Sequence, residues 1–298
     1  MTFRQFLLVV EIRTKVISVS TYLLATLYAA AAGFEISWIT ALLLALAVLC
    51  VDMGTTAFNT FYDYVRGVDT PLLTVEPDKV LVHEGVAPAH AFLVSVALYA
   101  VAAGAGIAVA VLSSWWILAA GFAGMLVGFL YNGGPFPISR TPLGELFAGG
   151  FLGSVLFLVV YGVHAGEITA HALVASVPST LIIAAVLTVN NTCDIEGDRE
   201  AGRRTLSIVL GRRAAGILIA ALCVVAYALI VPATSRLPSP RFARVVITGI
   251  GLLASAGMLV GMVRRGFRHG TKHPNMIAVI RIVVIYTLAY AGTLVPAV

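Results

Sequence analysis

One run of the chain without charged residues constrains the fold more than any other feature. No Asp, Glu, Lys or Arg occurs from Gly85 to Ser139. A helix needs about 20 apolar residues to cross a bilayer, so the run predicts two crossings, divided at the polar and aromatic residues 113–116. Only 11% of all residues are charged and the mean hydropathy is +0.99. These values exclude an ordinary soluble globular enzyme.

Nine apolar stretches have the length of a membrane span. We therefore expect an all-α fold, that of a polytopic membrane protein with nine transmembrane helices in a bundle. The stretches are 16–34, 38–62, 89–112, 115–132, 144–163, 171–191, 214–234, 244–263 and 275–297.

The basic residues indicate how the chain is oriented. With the N-terminus in the cytoplasm, fifteen of the nineteen Lys and Arg residues fall in cytoplasmic segments and three on the opposite side. Positive charge accumulates in cytoplasmic loops, so we expect an N-in, C-out topology in a bacterial plasma membrane. The same distribution explains the net charge of +5 without a nucleic-acid partner.

Two clusters of Asn and Asp end the second and the sixth apolar stretches. They consist of Asn59, Asp63 and Asp69, and of Asn190, Asp194 and Asp198. A spacing of four places successive members on one face of a helix. Gly67 predicts that the first helix ends there and that Asp69 returns from the loop. Both clusters fall at cytoplasmic ends of even-numbered helices, and we expect them to face each other.

Four carboxylates at a membrane surface repel one another unless a cation neutralises them. Oxygen ligands without His or Cys favour Mg²⁺, which commonly bridges to substrate phosphates. A diphosphate is therefore the expected partner. The candidate phosphate ligands are basic residues of the same loops, each of which could instead be a solvated loop charge: Arg66, Lys79, Arg203 and Arg204.

The paired motifs resemble those of the UbiA superfamily of intramembrane prenyltransferases. The segments 67–70, 131–137 and 194–205 are more narrowly similar to the branch that prenylates 1,4-dihydroxy-2-naphthoate for menaquinone, although Arg13-Thr14-Lys15 stands where that branch often has Arg-Pro-Lys. The resemblance implies that Mg²⁺ ions clamp a polyprenyl diphosphate. It assigns as metal ligands Asn59, Asp63, Asp69, Asn190, Asp194 and Asp198, and both Asn residues also contact the diphosphate.

The implied chemistry makes Asp63 and Asp194 catalytic residues, and it suggests roles for further residues. Asp52, on the face of Asn59 but deeper in the span, is either a base for the acceptor hydroxyl or half of a buried pair, with Arg281 as one candidate partner. Tyr131 either offers its ring to a prenyl cation or packs. Three residues are candidate ligands of the aromatic acceptor, with membrane anchoring or a helix-terminal charge as the alternative: Arg13, Lys15 and Glu145.

The expected function is Mg²⁺-dependent transfer of a prenyl group to an aromatic acceptor, 1,4-dihydroxy-2-naphthoate with decarboxylation. The reaction would occur in a central cavity that excludes water and opens near the cytoplasmic face. The alternatives are a UbiA-type enzyme with another acceptor, an acceptor-free terpene cyclase and a membrane transporter. We expect a single domain, 1–298, and hypothesise a four-helix duplication, 16–132 and 144–263, because each half carries its acidic motif on its second helix.

Overall fold

The computed structural model describes residues 1–71, 74 and 79–295. Their regular secondary structure is helical, without a β-strand in these ranges. The α-helices, numbered along the chain, are α1 (Phe3–Val9), α2 (Val16–Ala31), α3 (Trp38–Val65), α4 (Val80–His83), α5 (Pro88–Leu112), α6 (Trp116–Asn132), α7 (Gly144–Gly149), α8 (Leu156–Ala165), α9 (Ala170–Cys193), α10 (Ile195–Glu200), α11 (Leu206–Leu210), α12 (Arg212–Ala233), α13 (Arg241–Arg265) and α14 (Lys272–Leu294). Short 3-10 turns and one π-helical segment complete them: Ile12–Lys15, Ile138–Arg140, His269–Thr271 and the π-helical Gly150–Val155.

Seven helical segments of the described chain are long and apolar enough to cross a membrane. They are α3, α5, the segment Gly144–Ala165, α9, α12, α13 and the segment His269–Leu294. Helix α6 is apolar but shorter, and α2 has 16 residues. The run without charged residues divides as predicted, since α5 ends at Leu112 and α6 begins at Trp116. Nine crossings stay a prediction, and residues 296 and 297 of the last predicted stretch lie outside the described residues.

Large apolar side chains are exposed along the helices that could span a membrane. Leu42 in α3 is 71% exposed, Ile217 in α12 is 66% exposed and Leu253 in α13 is 75% exposed. Exposed apolar surface of this kind is unfavourable in water and favourable in contact with lipid hydrocarbon. The exposed faces therefore support the assignment of these helices to a membrane.

The helices form two compact units. The first consists of Met1–Lys15, Leu42–Gly144 and Glu196–Thr205, and the second of Val16–Ala41, Glu145–Ile195 and Leu206–Val298. The first motif belongs to the first unit. The second motif is divided, with Asn190 and Asp194 in the second unit and Asp198 in the first. The hypothesised duplication follows a different division of the chain and stays a prediction.

An aromatic cluster fixes the C-terminal half of α3 in the first unit. The ring of Phe58 is nearly buried, and its centroid lies 5.7, 5.3 and 5.4 Å from those of Phe92, Tyr99 and Phe129. All three contacts are edge-to-face, the favoured geometry for aromatic pairs. They hold α3 against α5 and α6, so the motif residues that follow Phe58 start from a rigid position.

Helix α9 organises the second unit. It is the most buried of the seven candidate spans and packs against α12, α14 and the π-helical segment. At Gly153 the two backbones approach so closely that a Cβ would lie 2.5 Å from the Cα of Thr180, and a Cβ at Gly149 would lie 2.6 Å from the Thr180 carbonyl oxygen. Only glycine permits this approach. Glu145 precedes Gly149 by one helical turn and is thereby brought to the C-terminal part of α9.

Candidate active site

The first motif lies at the C-terminal end of α3, where Asn59 and Asp63 are one helical turn apart. Gly67 adopts the left-handed conformation, with φ +69°, that commonly ends a helix. The N–H groups of Val68 and Asp69 then donate to the carbonyl oxygen of Asp63 at 2.9 and 3.0 Å. The expectation that the chain leaves the helix at Gly67 and that Asp69 returns from the loop is confirmed.

Arg203 joins the first motif to the last acid of the second. Its Nη1 lies 3.0 Å from Oδ1 of Asp198, and its Nη2 lies 3.9 Å from Oδ1 of Asp63. Asp63 also accepts a hydrogen bond of 3.0 Å from Nδ2 of Asn132. Burial alone would lower the pKa of Arg203, but Asp63 and Asp198, with a smaller contribution from Tyr131, raise it. Two carboxylates of the motifs therefore share one buried guanidinium.

Lys79 neutralises Asp69, the remaining motif acid of the first unit. Its Nζ lies 3.3 Å from Oδ2 of Asp69 and 3.3 Å from Oε1 of Glu11. Burial alone would lower the pKa of Lys79, but Glu11, Asp69 and Asp63 together raise it. Glu11 was missed by sequence reasoning, because no spacing relates it to the motifs. It is the one non-glycine residue with positive φ in the described chain, at +46°, a strained conformation that often marks functional sites.

Arg66 anchors the loop that follows α6. Its Nη1 and Nη2 donate to the carbonyl oxygens of Asn132 and Gly134, each at 2.5 Å. Its guanidinium also lies 4.8 Å from the ring centroid of Tyr62, within cation–π range. These contacts hold the end of α6, with Tyr131 and Asn132, and the loop after it beside the first motif. The diphosphate role assigned to Arg66 stays a prediction.

Arg204 follows Arg203 in a loop that backbone hydrogen bonds hold in place. Its N–H donates to the carbonyl oxygen of Arg140 at 2.9 Å, and Nη2 of Arg140 donates to the carbonyl oxygen of Ala201. The side chain of Arg204 is exposed. The structure therefore fixes the backbone of Arg204 and leaves its guanidinium at the surface, where its diphosphate role stays a prediction.

Lys15 and Asp52 form a buried ion pair in the first unit. The Nζ of Lys15 lies 2.7 Å from Oδ1 of Asp52 and 2.6 Å from Oγ1 of Thr56. The side chains of Lys15 and Asp52 are 5% and 11% exposed. The buried pair considered for Asp52 thus exists, with Lys15 as the observed partner. Arg13 lies on the same 3-10 turn as Lys15 but is exposed. Of these two candidate ligands of the acceptor, Lys15 is therefore buried and Arg13 is at the surface.

The helix that carries the second motif is interrupted inside the motif. Helix α9 ends at Cys193, and Asp194 has φ −101° and ψ 13°, outside helical geometry. A new short helix, α10, begins at Ile195 and contains Asp198. The prediction of one helical face running from Asn190 to Asp198 is therefore wrong. Aspartate side chains compete with the helix for backbone groups, which favours a break at such a position.

Two residues missed by sequence reasoning contact Asp194. The Nζ of Lys272 lies 2.6 Å from its Oδ2, and Nδ1 of His269 lies 3.4 Å from its Oδ1. His269 lies in the 3-10 turn before α14, and Lys272 is the first residue of α14. From the sequence, the excess of basic residues in cytoplasmic segments was enough to explain Lys272. No local spacing connects them to Asp194, so only the packing of α14 on α9 reveals the contact.

Glu145 lies beside the second motif. It is buried, and its Oε1 accepts a hydrogen bond of 2.9 Å from Nδ2 of Asn191. The Oδ1 of Asn191 is in turn 3.5 Å from Nδ2 of Asn190. The structure therefore relates Glu145 to the asparagines of α9, and its predicted contact with the acceptor stays a prediction.

The residues of the motifs fit a hard divalent cation in their chemistry. Carboxylate and amide oxygens are the ligands that Mg²⁺ prefers. Oδ1 of Asn59 is buried without a hydrogen-bond partner among the residues that the structure describes, which is costly unless another group satisfies it. No group of three His, Cys, Asp or Glu in the described ranges is arranged to hold a metal ion. Basic side chains accompany the motif acids instead, namely Arg203, Lys79 and Lys272.

The helical architecture and the apolar, membrane-length helices define an integral membrane protein. The profile of the UbiA prenyltransferase family matches residues 18–275, most of the sequence. The chain belongs to this family.

Comparison with individual proteins supports the assignment. The 1,4-dihydroxy-2-naphthoate octaprenyltransferase of Bacillus subtilis (strain 168) is 37% identical over 179 residues, which cover 60% of this chain and 57% of that protein. The chain thus spans between about half and three fifths of the curated relatives that it matches first.

Solved structures show the same fold. A UbiA homologue from Aeropyrum pernix K1, described as an apo structure, has a TM-score of 0.66 at 20% identity, covering 91% of this chain and 96% of that one. A UbiA homologue from Archaeoglobus fulgidus, described as bound to GPP and Mg²⁺, has a TM-score of 0.66 at 16% identity, covering 96% and 99%. At these identities the likeness concerns the fold.

Proposed function

We propose that this chain transfers a prenyl group from a polyprenyl diphosphate to an aromatic acceptor in an Mg²⁺-dependent reaction. The observation that carries the proposal is the cluster in which Asp63, Asp69 and Asp198 lie within 3.9 Å of Arg203 or Lys79. A metal–diphosphate site needs two kinds of group. Carboxylates bind the metal cation, and guanidinium and ammonium groups bind the phosphate oxygens. The family and the Mg²⁺ and GPP described for the Archaeoglobus homologue support this reading.

The acceptor we propose is 1,4-dihydroxy-2-naphthoate, with loss of its carboxylate. The Bacillus subtilis relative carries that activity in its name, and the identity of 37% supports a related acceptor. Another aromatic acceptor and an acceptor-free cyclisation are the competing outcomes, because both would use the same diphosphate chemistry.

In the membrane we propose nine crossings with an N-in, C-out topology. The seven candidate spans and the shorter apolar helices α2 and α6 provide them. The bias of basic residues supports the orientation. In the proposed orientation both motifs would lie at the cytoplasmic face of a bacterial plasma membrane, where a diphosphate is accessible.

The proposed metal ligands are the motif residues named from the sequence. In the first unit they are Asn59, Asp63, Asp69 and Asp198, and in the second Asn190 and Asp194. When bound, Mg²⁺ supplies positive charge that stabilises the leaving diphosphate. Arg203 and Lys79 neutralise the carboxylates in the structure. We propose that, when Mg²⁺ neutralises the carboxylates instead, Arg203 and Lys79 turn to the phosphate oxygens. Arg66 and Arg204 would bind the same oxygens.

Departure of the diphosphate leaves an allylic cation, which must be shielded from water and stabilised. Tyr131 is the proposed aromatic partner, because an aromatic face attracts a cation and because Arg66 holds the last turn of α6, which carries Tyr131, through the carbonyl oxygen of Asn132. The next residue, Asn132, donates to Oδ1 of Asp63 at 3.0 Å, which supports a position of Tyr131 close to the first motif.

Lys15 and Asp52 are the proposed acceptor-binding residues. The 2.7 Å contact between Nζ and Oδ1 holds both groups in place. Lys15 is proposed to bind the acceptor carboxylate, and Asp52 is then released to accept the hydroxyl proton. Arg13 is exposed and is proposed to attract the anionic acceptor from solution.

The test uses purified protein in detergent with Mg²⁺ and geranylgeranyl diphosphate, with and without 1,4-dihydroxy-2-naphthoate, and mass spectrometry of the extract. We expect a prenylated, decarboxylated naphthol that is absent for Asp63→Ala and Asp194→Ala. A product only with other acceptors would replace the proposed acceptor, and a cyclic hydrocarbon formed without acceptor would favour the cyclase. Absence of Mg²⁺-dependent turnover with any acceptor would overturn the proposal.

A further inference from the structure

Three polar side chains form a chain of contacts in the second unit. Oε1 of Glu145 is 2.9 Å from Nδ2 of Asn191, and Oδ1 of Asn191 is 3.5 Å from Nδ2 of Asn190. Glu145 and Asn191 are 2% and 6% exposed, so water competes little for these contacts. The chain ends at an asparagine of the second motif.

The chemistry of these groups gives the chain a direction. Nδ2 of Asn191 donates to the carboxylate oxygen of Glu145, so the amide oxygen of Asn191 is turned to the other side. That oxygen is an acceptor for the NH₂ group of Asn190. The amide oxygen of Asn190 is then the last group in this chain of contacts, and it is the atom that would bind a cation. With the amide rotated the other way, Asn190 would present its NH₂ group, which a cation repels.

The fold places Glu145 at this point by close helix packing. Gly149 and Gly153 follow Glu145 at successive helical turns, and both lie against α9 at Thr180 without room for a Cβ. The antiparallel helices therefore approach closely enough for the side chain of Glu145 to reach the last turns of α9. Its position is set by the backbone rather than by a flexible loop.

We propose that Glu145 is a positioning residue of the second motif: through Asn191 it fixes the amide of Asn190 so that its oxygen faces Mg²⁺. The inference rests on the proposed function, because it concerns the same metal site. Glu145 does not touch the metal or the diphosphate in this scheme, and it acts through hydrogen bonds alone.

The first test measures the melting temperature of the full-length protein in detergent against Mg²⁺ concentration, with inorganic diphosphate present. A ligand that binds only the folded state stabilises it by RT ln(1 + [L]/Kd), so fitting the rise in melting temperature to this relation gives the Mg²⁺ concentration of half-saturation. For Glu145→Met, which keeps the length of the side chain but removes the acceptor, we expect half-saturation at roughly 10- to 100-fold more Mg²⁺, the usual effect of losing a partner of a metal ligand.

Thr188→Val is the matched control. Thr188 is fully buried on α9, two residues before Asn190, and its Oγ1 donates to the carbonyl oxygen of Ala184 at 2.7 Å. The substitution removes a buried hydrogen bond of the same helix without touching the chain of contacts. We expect a lower melting temperature with unchanged Mg²⁺ half-saturation.

An exchange of the two polar groups tests the direction of the chain. Asn191→Asp places two carboxylates together and is expected to weaken Mg²⁺ binding. In Glu145→Gln with Asn191→Asp, an amide donates to a carboxylate that still accepts from Asn190, so Mg²⁺ binding is expected to recover to within about threefold of wild type, a coupling that a double-mutant cycle measures.

The outcomes separate this inference from the proposed function. If wild type is neither stabilised by Mg²⁺ and diphosphate nor active, the proposed function fails and the positioning role fails with it. If wild type responds while Glu145→Met shows the wild-type half-saturation, or while the double exchange is no better than Asn191→Asp, only the positioning role is overturned. Steady-state kinetics of the same variants should show a raised KM for Mg²⁺ with a smaller change in kcat at saturating metal.

Discussion

The ammonium group of Lys272 lies 2.6 Å from the carboxylate of Asp194. Both side chains are less than one-fifth exposed, so solvent screens the pair only in part. Lys79 with Asp69, and Arg203 with Asp198, repeat the arrangement in the first unit. Basic side chains thus supply the neutralising charge for which the sequence alone suggested a divalent ion. We propose that Lys272 also binds a phosphate oxygen of the substrate.

Lys272 provides the first prediction. We expect Lys272→Met to raise the KM for the prenyl diphosphate by roughly tenfold or more, because a charge-assisted hydrogen bond contributes about 1.5–3 kcal/mol. Lys272→Arg keeps the charge and should stay within a few fold of wild type. Steady-state kinetics at saturating Mg²⁺ measure both. An unchanged KM for Lys272→Met would assign the lysine to structure alone.

Arg203 provides a prediction about stability. Arg203→Leu leaves the carboxylates of Asp63 and Asp198 without their shared cation, and breaking a buried pair in this way costs about 3–5 kcal/mol. The melting temperature should fall, and Mg²⁺ should recover more stability in the variant than it adds to wild type, because no guanidinium competes for the two carboxylates. Equal Mg²⁺ effects on both proteins would contradict the assignment of these acids to metal.

The buried pair of Lys15 and Asp52 gives a third prediction. Lys15→Met and Asp52→Leu should each destabilise the protein, since each leaves one charge at low dielectric. The double variant should be less destabilised than the sum of the two, because it removes the isolated charge. Thermal unfolding of the four proteins completes the cycle, and strict additivity would show that the two side chains are not coupled.

Close packing at Gly153 gives a fourth prediction. Gly153→Ala places a methyl group 2.5 Å from the backbone of Thr180, and overpacking of this kind costs about 1–3 kcal/mol. Gly150→Ala is the control in the same π-helical segment, because, apart from its own helix backbone and chain neighbours, no described atom lies within 4 Å of the added Cβ. Thermal unfolding should separate the two variants, and an equal melting temperature would mean that the helices move apart at no cost.

Hydropathy and charge predicted most of the fold because they act locally. The division of the run without charged residues at α5 and α6 and the helix end at Gly67 each depend on residues close in sequence. The break at Asp194 was missed because the spacing of the motif was taken to mean one continuous helix. A helical spacing of four describes a face only while the helix continues, and the spacing itself does not report where the helix stops.

The candidate acids were accessible from the sequence, but their partners were not. Asn59, Asp63 and Asp69 form a motif by spacing, whereas Glu11 meets Lys79 and Lys272 meets Asp194 across long separations in the chain. For a single basic or acidic residue near a membrane surface, no spacing in the sequence predicts which residue it will contact. Such pairs depend on how the helices pack, and this packing cannot be read from a single sequence.

The most direct measurement of the central claim compares two acids on the short helix α10. Asp198 is buried against Arg203, while Glu200 is exposed. We predict that Asp198→Asn lowers the Mg²⁺-dependent release of diphosphate from geranylgeranyl diphosphate by about 100-fold or more, the scale of losing a charge-stabilising group, and that Glu200→Gln leaves the rate unchanged. A wild-type rate for Asp198→Asn would contradict the account.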